Sequence, residues 1–291
     1  MVSTLRQTQK EEKPQLTATD KALQTLIDMG LINDEDFEKM NISKPQEINK
    51  KQEKFSYNRD FVDESKISQE QFKIMEKGQY NYDFYKTPQS IINTITNSII
   101  SEFKKSKINI LEPSAGLGSL MTGIINRQDE LNINNLDANE FNEEMYNLLK
   151  ENFKISHIYN KNFLKWTPEI KYDCIIMNPP YEGYVNEEVG RSKVAYLYHI
   201  MKAVLLGGNG KTIYAVLPQL KGGNKFELED VISKADIKKM KNEFKIDKIP
   251  KVNVDLLMEK VDGWKKVVFS RGKFNLGKAG LSLNLYKFVV F

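Results

Sequence analysis

The chain has 291 residues, of which 40% are hydrophobic and 28% charged, enough to bury a full core in one large domain or in a catalytic domain with a modest extension. It has no apolar run as long as a membrane span, and its start is polar, so we expect an intracellular, cytoplasmic protein. Its single cysteine, Cys174, excludes an internal disulfide. The net charge of +4 is uneven, because residues 182–291 carry +8 and residues 1–181 carry −4, so the second half is the candidate polyanion-binding face.

Residues 1–79 are predicted to form a tail and a small helical extension. Residues 1–16 are polar and lack the apolar spacing of a packed element. Apolar residues then recur at helical spacing from Thr19 until Gly30, and Ser68 with Gln71 resembles a capping box that opens another helix.

Residues 80–291 alternate between predicted strands and helices. The strands are Ile108 to Leu111, Ile133 to Ala138, Ile155 to Tyr159, Tyr172 to Met177, Thr212 to Leu217, Val267 to Phe269 and Leu281 to Phe291. The helical patterns are Ile91 to Phe103, Phe141 to Phe153 and Val194 to Leu206. This alternation predicts a doubly wound α/β sheet of parallel strands, in which the last two strands form an antiparallel edge. Ligands of such sheets bind beyond the carboxyl ends of the strands, so the residues after each strand are the candidates for chemistry.

The first of these strands is followed by Glu112-Pro113-Ser114-Ala115-Gly116-Leu117-Gly118. The two glycines allow a tight turn and a close approach to a ligand, although Met121 stands where a third glycine would complete a dinucleotide-binding pattern. A carboxylate at Glu112 would repel a pyrophosphate but would suit a ligand with an ammonium group. S-adenosylmethionine has such a group.

The next two strand ends carry further candidate cofactor contacts. Glu140 lies 22 residues after Gly118, near the spacing at which an acid binds ribose hydroxyls, and Phe141 beside it could cover an adenine ring. Alternatively, Glu140 only starts a helix that Asn142 caps. After the third strand, Asn162 with Phe163 could hydrogen-bond a cofactor's adenine or form an ordinary loop.

The fourth strand is followed at once by Asn178-Pro179-Pro180-Tyr181. The prolines fix φ and remove two backbone donors, so the turn is rich in hydrogen-bond acceptors. The Asn178 amide oxygen and the Pro179 carbonyl could each accept a hydrogen bond from an exocyclic NH2 group, while Tyr181 offers a face for base stacking. A delocalised aromatic amine is a poor nucleophile, and two aimed acceptors would favour its rehybridisation toward a tetrahedral, charged nitrogen. Otherwise, the turn merely ends a strand.

With these motifs, residues 80–291 resemble the amino-methyltransferases, and most closely the N6-adenine DNA methyltransferases of the gamma arrangement. The resemblance implies a Rossmann-like fold, S-adenosylmethionine as cofactor, DNA as partner and a role of the restriction-modification kind. Tyr85-Lys86-Thr87-Pro88 looks like the family's Phe/Tyr-x-x-Pro cofactor element, although Thr87 could also be an N-cap before Pro88 at the first helical position. The predicted catalytic residues are Asn178, Pro179, Pro180 and Tyr181, and the predicted cofactor-binding residues are Tyr85, Thr87, Pro88, Glu112, Pro113, Ser114, Ala115, Gly116, Gly118, Glu140, Phe141, Asn162 and Phe163.

Two features depart from the family pattern. Asn162-Phe163 replaces an Asp-Phe pair, which removes a charge but keeps an acceptor, and the chain ends apparently on its last strand, where gamma enzymes have a recognition domain. Sequence specificity would then come from loops, from the helical extension or from a protein partner. The candidate loops are Glu182 to Lys193 and Leu220 to Lys251, with basic and aromatic groups from Trp264 to Lys266 and Arg271 to Lys278, unless these are ordinary surface lysines.

Three other interpretations are weaker. The same tetrapeptide is similar to that of enzymes that methylate glutamine side chains in proteins and of some RNA methyltransferases, but the Glu112-Pro113 pair and the Tyr85 to Pro88 element favour adenine. A non-catalytic cofactor-binding subunit is opposed by the intact Asn178 to Tyr181. Neither a metal site nor a catalytic triad is expected, since His157 and His199 are isolated and best explained as structural.

Overall fold

The structure is a computed structural model that describes residues 54–62, 85–104, 106–187, 189–207, 210–261, 265–270, 273–278 and 283–291. The predicted tail, the helix between Thr19 and Gly30 and the capping box at Ser68 lie outside the described residues. Residues Lys54–Phe291 belong to one compact unit. The predicted boundary at residue 80 stays a prediction.

The described helices and strands follow one another in a mostly alternating order. The helices are α1 (Arg59–Val62), α2 (Gln89–Phe103), α3 (Ser119–Asn126), α4 (Glu143–Asn152), α5 (Ala195–Gly207), α6 (Leu228–Val231) and α7 (Lys234–Phe244). The strands are β1 (Ser56–Tyr57), β2 (Tyr85–Lys86), β3 (Lys107–Glu112), β4 (Asn132–Asn139), β5 (Phe153–Lys154), β6 (His157–Tyr159), β7 (Cys174–Met177), β8 (Gly183–Asn186), β9 (Gly190–Ser192), β10 (Thr212–Pro218), β11 (Lys225–Glu227), β12 (Val252–Val261), β13 (Lys265–Ser270), β14 (Lys273–Lys278) and β15 (Leu283–Val290).

The central sheet has eight strands in the order β11-β12-β15-β10-β7-β3-β4-β6. Strands β6, β4, β3, β7 and β10 are parallel, whereas β15, β12 and β11 run antiparallel to their neighbours. This arrangement confirms the predicted mixed α/β fold with a mostly parallel sheet and an antiparallel edge. The chain reverses its direction of winding between β3 and β7, which is the topological switch point where such sheets bind ligands.

The composition of the antiparallel edge differs from the prediction. The segment Val267 to Phe269 was expected to pair with the last strand, but β15 lies between β10 and β12. Strand β13, which contains that segment, instead forms a separate three-stranded sheet in the order β14-β13-β2. The sequence pattern missed β12, whose mixed polarity and register shifts between Leu256 and Val261 break the alternation expected of a strand.

The apolar core lies on both faces of the central sheet, as the continuous apolar run of β7 predicts. Cys174 and Ile176 contribute to the cluster formed with α2, α3 and α4, while Ile175 and Met177 contribute to the cluster formed with α5 and α7. Cys174 is fully buried. Helices on both faces hold β3 and β7 rigidly, and the loops that follow these strands carry the candidate site.

A short segment before the predicted catalytic domain packs against the same body. Strand β1 pairs antiparallel with β5, and the buried ring of Phe61 contacts the ring of Phe153 edge to face, with 6.3 Å between the ring centroids. The backbone of Phe55 exchanges two hydrogen bonds with the side chain of Gln128. Residues 54–62 are therefore part of the packed core around Phe153.

Candidate active site

The tetrapeptide Asn178-Pro179-Pro180-Tyr181 leaves the carboxyl end of β7 at the switch point. Asn178 is half-buried, and its amide Nδ2 donates a hydrogen bond to the Thr87 hydroxyl oxygen at 3.3 Å. The Tyr181 hydroxyl donates to the Asn178 amide oxygen at 2.5 Å. The amide plane of Asn178 is thus oriented by two hydroxyl groups, one of them 91 residues away in the sequence.

Thr87 does not cap helix α2, and this alternative from the sequence is wrong. The helix begins at Gln89 with Pro88 at the N-cap position, and no side chain caps it. Thr87 is buried, and its hydroxyl oxygen accepts from Asn178 instead. The Tyr-x-x-Pro element therefore reaches the predicted catalytic asparagine, a contact that the sequence did not predict.

The turn after β3 needs its two glycines. Gly116 and Gly118 have φ of 55° and 78°, in the left-handed region that other residues rarely adopt. A Cβ atom on Gly118 would lie 2.5 Å from the Phe153 ring, so this position also lacks space for a side chain. The Ala115 N–H donates to the carbonyl oxygen of Asn139 at 3.0 Å, which joins the turn to the end of β4. The backbone at this turn is therefore held close to the ends of β3 and β4.

Glu112, the last residue of β3, carries a carboxyl group that is fully buried. Its Oε2 atom has no hydrogen-bond partner within the described part of the chain. Burial raises the pKa of this carboxyl well above its usual range, a backbone hydrogen bond from Met121 opposes the shift, and the neighbouring charge of Glu140 adds to it. A buried acid with an unused oxygen is costly for the fold and fits a cationic ligand group.

Glu140 follows β4, and its carboxylate links the backbone of the glycine turn to the backbone before α4. Its Oε2 accepts from the Gly116 N–H and its Oε1 from the Asn142 N–H, each at 2.8 Å. Burial raises the pKa of Glu140, while the backbone N–H groups of Asn142, Gly116 and Phe141 lower it. A carboxylate has about four acceptor sites, so Glu140 can still accept a further hydroxyl donor. Asn142 caps α4 by accepting from the Met145 N–H at 2.9 Å, as the alternative interpretation of this segment predicts.

The other predicted cofactor contacts lie in different environments. Phe141, beside Glu140, is 48% exposed although it is a large aromatic residue, so its ring is open to a ligand. The Asn162 amide oxygen accepts from the Leu164 N–H at 3.1 Å and shapes a local turn. Phe163 is buried and stacks on His199 of α5, with 5.9 Å between the ring centroids. The contacts of Asn162 and Phe163 are therefore compatible with the alternative from the sequence, in which the pair forms an ordinary loop.

Two asparagines that sequence analysis missed tie the site loops together. The buried Asn139 amide donates to the carbonyl oxygens of Pro113 and Lys161 and accepts from the Lys161 N–H, each at 3.0 Å. Asn160 donates to the carbonyl oxygens of Glu140 and Phe141 at 2.8 Å and 3.0 Å. Asparagine is common in loops, so only its position at strand ends could have drawn attention to these residues.

Both histidines make the structural contacts expected from the sequence. His157 Nδ1 lies 3.0 Å from Oδ1 of the buried Asp137, whose other carboxyl oxygen accepts from the Tyr172 hydroxyl at 2.7 Å. His199 Nδ1 lies 3.0 Å from the Ala195 carbonyl oxygen, and burial lowers the pKa of this imidazole to about 4. His199 is therefore neutral at pH 7 and lies half-buried against the ring of Phe163.

Comparison with known protein families assigns the chain to one of them. The sequence model of the methyltransferase small domain matches residues 89–248, more than half of the chain. The chain belongs to the methyltransferase small domain family. S-adenosylmethionine is the cofactor of this family, as the sequence predicts. The matched residues include the glycine turn, Glu140 and the tetrapeptide.

Solved structures resemble this family member at low identity. A Listeria monocytogenes protein assigned to the class I S-adenosylmethionine-dependent methyltransferases is 16% identical with a TM-score of 0.46, and the match covers 75% of this chain and 64% of that one. A Pyrococcus horikoshii protein assigned to the RNA methyltransferases is 16% identical with a TM-score of 0.44, covering 76% and 94%. The methyltransferase subunit of a type I restriction-modification system from Streptococcus thermophilus is 18% identical with a TM-score of 0.37, covering 52% and 39%.

These likenesses concern the fold and say nothing about the substrate. The chain spans less than two thirds of the length of the Listeria monocytogenes protein. No curated protein matches the sequence. Within the residues that the structure describes, no helix has both the length and the apolar content needed to cross a membrane.

Proposed function

We propose that this protein transfers a methyl group from S-adenosylmethionine to the N6 amine of adenine in DNA. The observation that carries the proposal is the oriented amide of Asn178, which leaves β7 at the switch point opposite the glycine turn and the buried Glu112 carboxyl after β3. Strands β3 and β7 are parallel neighbours, which supports an acceptor for an amine next to a site for a cationic cofactor.

Three groups fit the cofactor. The unused oxygen of Glu112 would accept from its ammonium group, since burial strengthens the attraction between opposite charges. The two oxygens of Glu140 would accept the ribose hydroxyls, and the exposed ring of Phe141 would cover the adenine. When bound, S-adenosylmethionine supplies a methyl group on a positively charged sulfur, which the amine nitrogen takes, leaving S-adenosylhomocysteine. Tyr85, Pro88 and Asn162 remain candidates for further contacts.

Glu140→Ala is expected to weaken binding of S-adenosylmethionine by about tenfold or more, because it removes two acceptors of a charged group. The same change leaves the Gly116 and Asn142 N–H groups without their acceptor, so thermal stability should also fall. Isothermal titration calorimetry and thermal unfolding measure the two effects. Glu143→Ala, at an exposed acid three residues later, is the matched control and should change neither quantity by much. Unchanged cofactor affinity in Glu140→Ala would leave Glu140 with a purely structural role.

The tetrapeptide would act on the target amine. The Asn178 amide oxygen and the Pro179 carbonyl would accept its two hydrogens, which favours the tetrahedral nitrogen of the transition state. Tyr181 would stack on the adenine after the base has left the duplex. Because the Tyr181 hydroxyl donates to the Asn178 oxygen in the free protein, the arriving amine must share or replace that hydrogen bond. The amine loses its proton to water afterwards, so no general base is required.

Thr87 would position Asn178 rather than contact the substrate. Its hydroxyl accepts from the amide NH2 of Asn178, so Thr87 does not itself occupy the amide oxygen. Thr87→Val keeps the branched shape but lacks the hydroxyl, so kcat should fall by about fivefold, equivalent to about 1 kcal/mol, with cofactor affinity unchanged.

Steady-state kinetics and cofactor titration of Thr87→Val measure these effects, and Thr87→Ser should restore kcat because it restores the hydroxyl. If Thr87→Val weakened cofactor binding and left kcat intact, Thr87 would act in the cofactor site, as the resemblance implies.

Adenine in DNA is favoured over the other planar amines by three features. Glu112-Pro113 and the Tyr85 to Pro88 element match the DNA enzymes, and residues 182–291 carry the basic charge that a polyanion requires. Loops that would read the target are the β8–β9 hairpin, directly after the tetrapeptide, and the segment from Leu220 to Lys251, which contains β11, α6 and α7. A protein partner would supply any recognition that these loops lack.

The proposal is tested by incubating the protein with labelled S-adenosylmethionine and, separately, with DNA, RNA and a protein extract. The products are then hydrolysed and analysed as nucleosides and amino acids. We expect label in N6-methyladenine from DNA, and at most about one hundredth of the initial rate with the Asn178→Ala variant, which controls for contaminating enzymes. Label that appears only in RNA or on protein glutamine would contradict the DNA assignment.

A further inference from the structure

The three-stranded sheet β14-β13-β2, here named the basic ribbon, is attached to the polypeptide beside the candidate catalytic residue. Strand β2 ends at Lys86, and the next residue is Thr87, whose hydroxyl accepts from the Asn178 amide. Consecutive Cα atoms are about 3.8 Å apart, so the end of β2 lies next to the contact with Asn178. Strand β13 pairs with β2 and β14 pairs with β13, so the ribbon continues from β2 by two further strands.

The ribbon carries charge of one sign only. Its three strands contain five lysines and no aspartate or glutamate. Lys265 on the central strand is directly opposite both Lys86 on β2 and Lys278 on β14. Residues directly opposite one another share a face of the sheet, and neighbouring strands are about 4.8 Å apart, so three lysine positions form a row about 10 Å long.

The row places like charges of the sequence at directly opposite register positions. Like charges at directly opposite positions destabilise strand pairing. Lysine on an edge strand can prevent pairing with another chain, but Lys265 lies on the central strand, where edge protection does not apply. A ligand with regularly spaced negative charges would match these three positions.

The same face also holds aromatic residues. Phe269 on β13 is directly opposite Phe274 on β14, and Phe269 lies four residues from Lys265, so both pairs share one face by the alternation of a strand. Lysine and aromatic residues together are the combination by which proteins bind nucleic-acid strands without sequence preference.

We propose that the basic ribbon binds the phosphate backbone of the DNA strand that carries the target adenine. The proposal rests on the proposed function for the choice of DNA. A base that leaves the duplex to reach Tyr181 keeps its flanking phosphates near the mouth of the site, and the lysine row begins there. The ribbon contacts are independent of sequence and hold the strand, while the base is read elsewhere.

The test compares two double variants that each remove two positive charges. Lys265→Gln with Lys278→Gln alters the ribbon. Lys104→Gln with Lys107→Gln alters two exposed lysines, one at the end of α2 and one at the start of β3, which is the end of that strand away from the site. The probe is a fluorescein-labelled duplex of mixed sequence, and binding is followed by fluorescence anisotropy over a series of salt concentrations.

The ribbon variant should bind at least about tenfold more weakly at low salt, and the slope of log affinity against log salt should fall by about 2, one unit per lost phosphate contact. Its KM for DNA should rise while kcat at saturating DNA and the affinity for S-adenosylmethionine stay unchanged. Equal losses in both double variants, no loss in the ribbon variant, or no DNA binding by the unaltered protein would each overturn the proposal.

The binding assay and the nucleoside assay test the two proposals independently. If the ribbon variant loses DNA binding but the label is found in RNA or protein, the proposed function fails and the ribbon remains a DNA-binding surface. If N6-methyladenine forms and the ribbon variant binds like the unaltered protein, the proposed function stands and the ribbon assignment fails.

Discussion

Asn178→Ala is expected to lower kcat for methyl transfer by about a hundredfold to a thousandfold, the effect of removing one prearranged hydrogen-bond partner of a transition state. The amide oxygen of Asn178 would be lost as an acceptor, and the Pro179 carbonyl alone would not orient the amine. Affinity for S-adenosylmethionine should change by less than about threefold, because the groups that fit the cofactor follow other strands. Single-turnover transfer to DNA and calorimetric cofactor binding measure the two quantities.

The matched control is Asn242→Ala on the exposed side of α7, which removes the same side chain far from the tetrapeptide and should leave transfer unchanged. Loss of the Thr87 and Tyr181 hydrogen bonds in Asn178→Ala is a local change, so the thermal unfolding temperature should fall only slightly. Turnover close to that of the unaltered protein would contradict the acceptor mechanism.

Glu112 should make cofactor binding depend on pH. Because burial raises its pKa, the carboxyl is protonated over part of the range in which ordinary carboxyls are charged. The ammonium group of S-adenosylmethionine requires the charged form, so affinity should increase as the pH rises through the raised pKa. Calorimetry across roughly pH 5 to pH 8 measures this dependence.

Glu112→Gln keeps the size of the side chain but cannot become charged. We expect it to weaken cofactor binding by about a hundredfold, equivalent to about 3 kcal/mol for a broken buried ion pair, and to abolish the pH dependence. The free variant should be more stable than the unaltered protein at neutral pH. The reason is that the folded protein binds the Glu112 proton more tightly than the unfolded chain, so its stability falls as pH rises through the raised pKa. An identical pH dependence in both proteins would exclude Glu112 as the cause.

The parallel strands and the loops after them could be predicted because burial on both faces leaves a continuous apolar run, as in Cys174 to Met177. The chemistry then follows from position, since residues after parallel strands meet at one edge of the sheet. Thus Glu112, Glu140 and Asn178 were identified from order and residue type alone. Their individual roles stay predictions.

The rest depends on contacts between distant parts of the chain. The hydrogen bond between Thr87 and Asn178 joins residues 91 positions apart, and local signals at Thr87 favoured a helix cap instead. The pairing of β13 with β2 likewise joins segments that no periodicity connects. Asn139 and Asn160 bind backbone carbonyl groups, so their partners leave no trace in side-chain patterns.

The ring of Phe153 faces the glycine turn on one side and the segment of residues 54–62 on the other. A Cβ on Gly118 would meet this ring at 2.5 Å, and Tyr57 stacks on it with 5.6 Å between the ring centroids. A fragment that began at residue 80 would lack the residues that pack on this ring, and the ring itself packs against the glycine turn. We therefore expect a fragment that keeps full affinity for S-adenosylmethionine to start no later than Lys54.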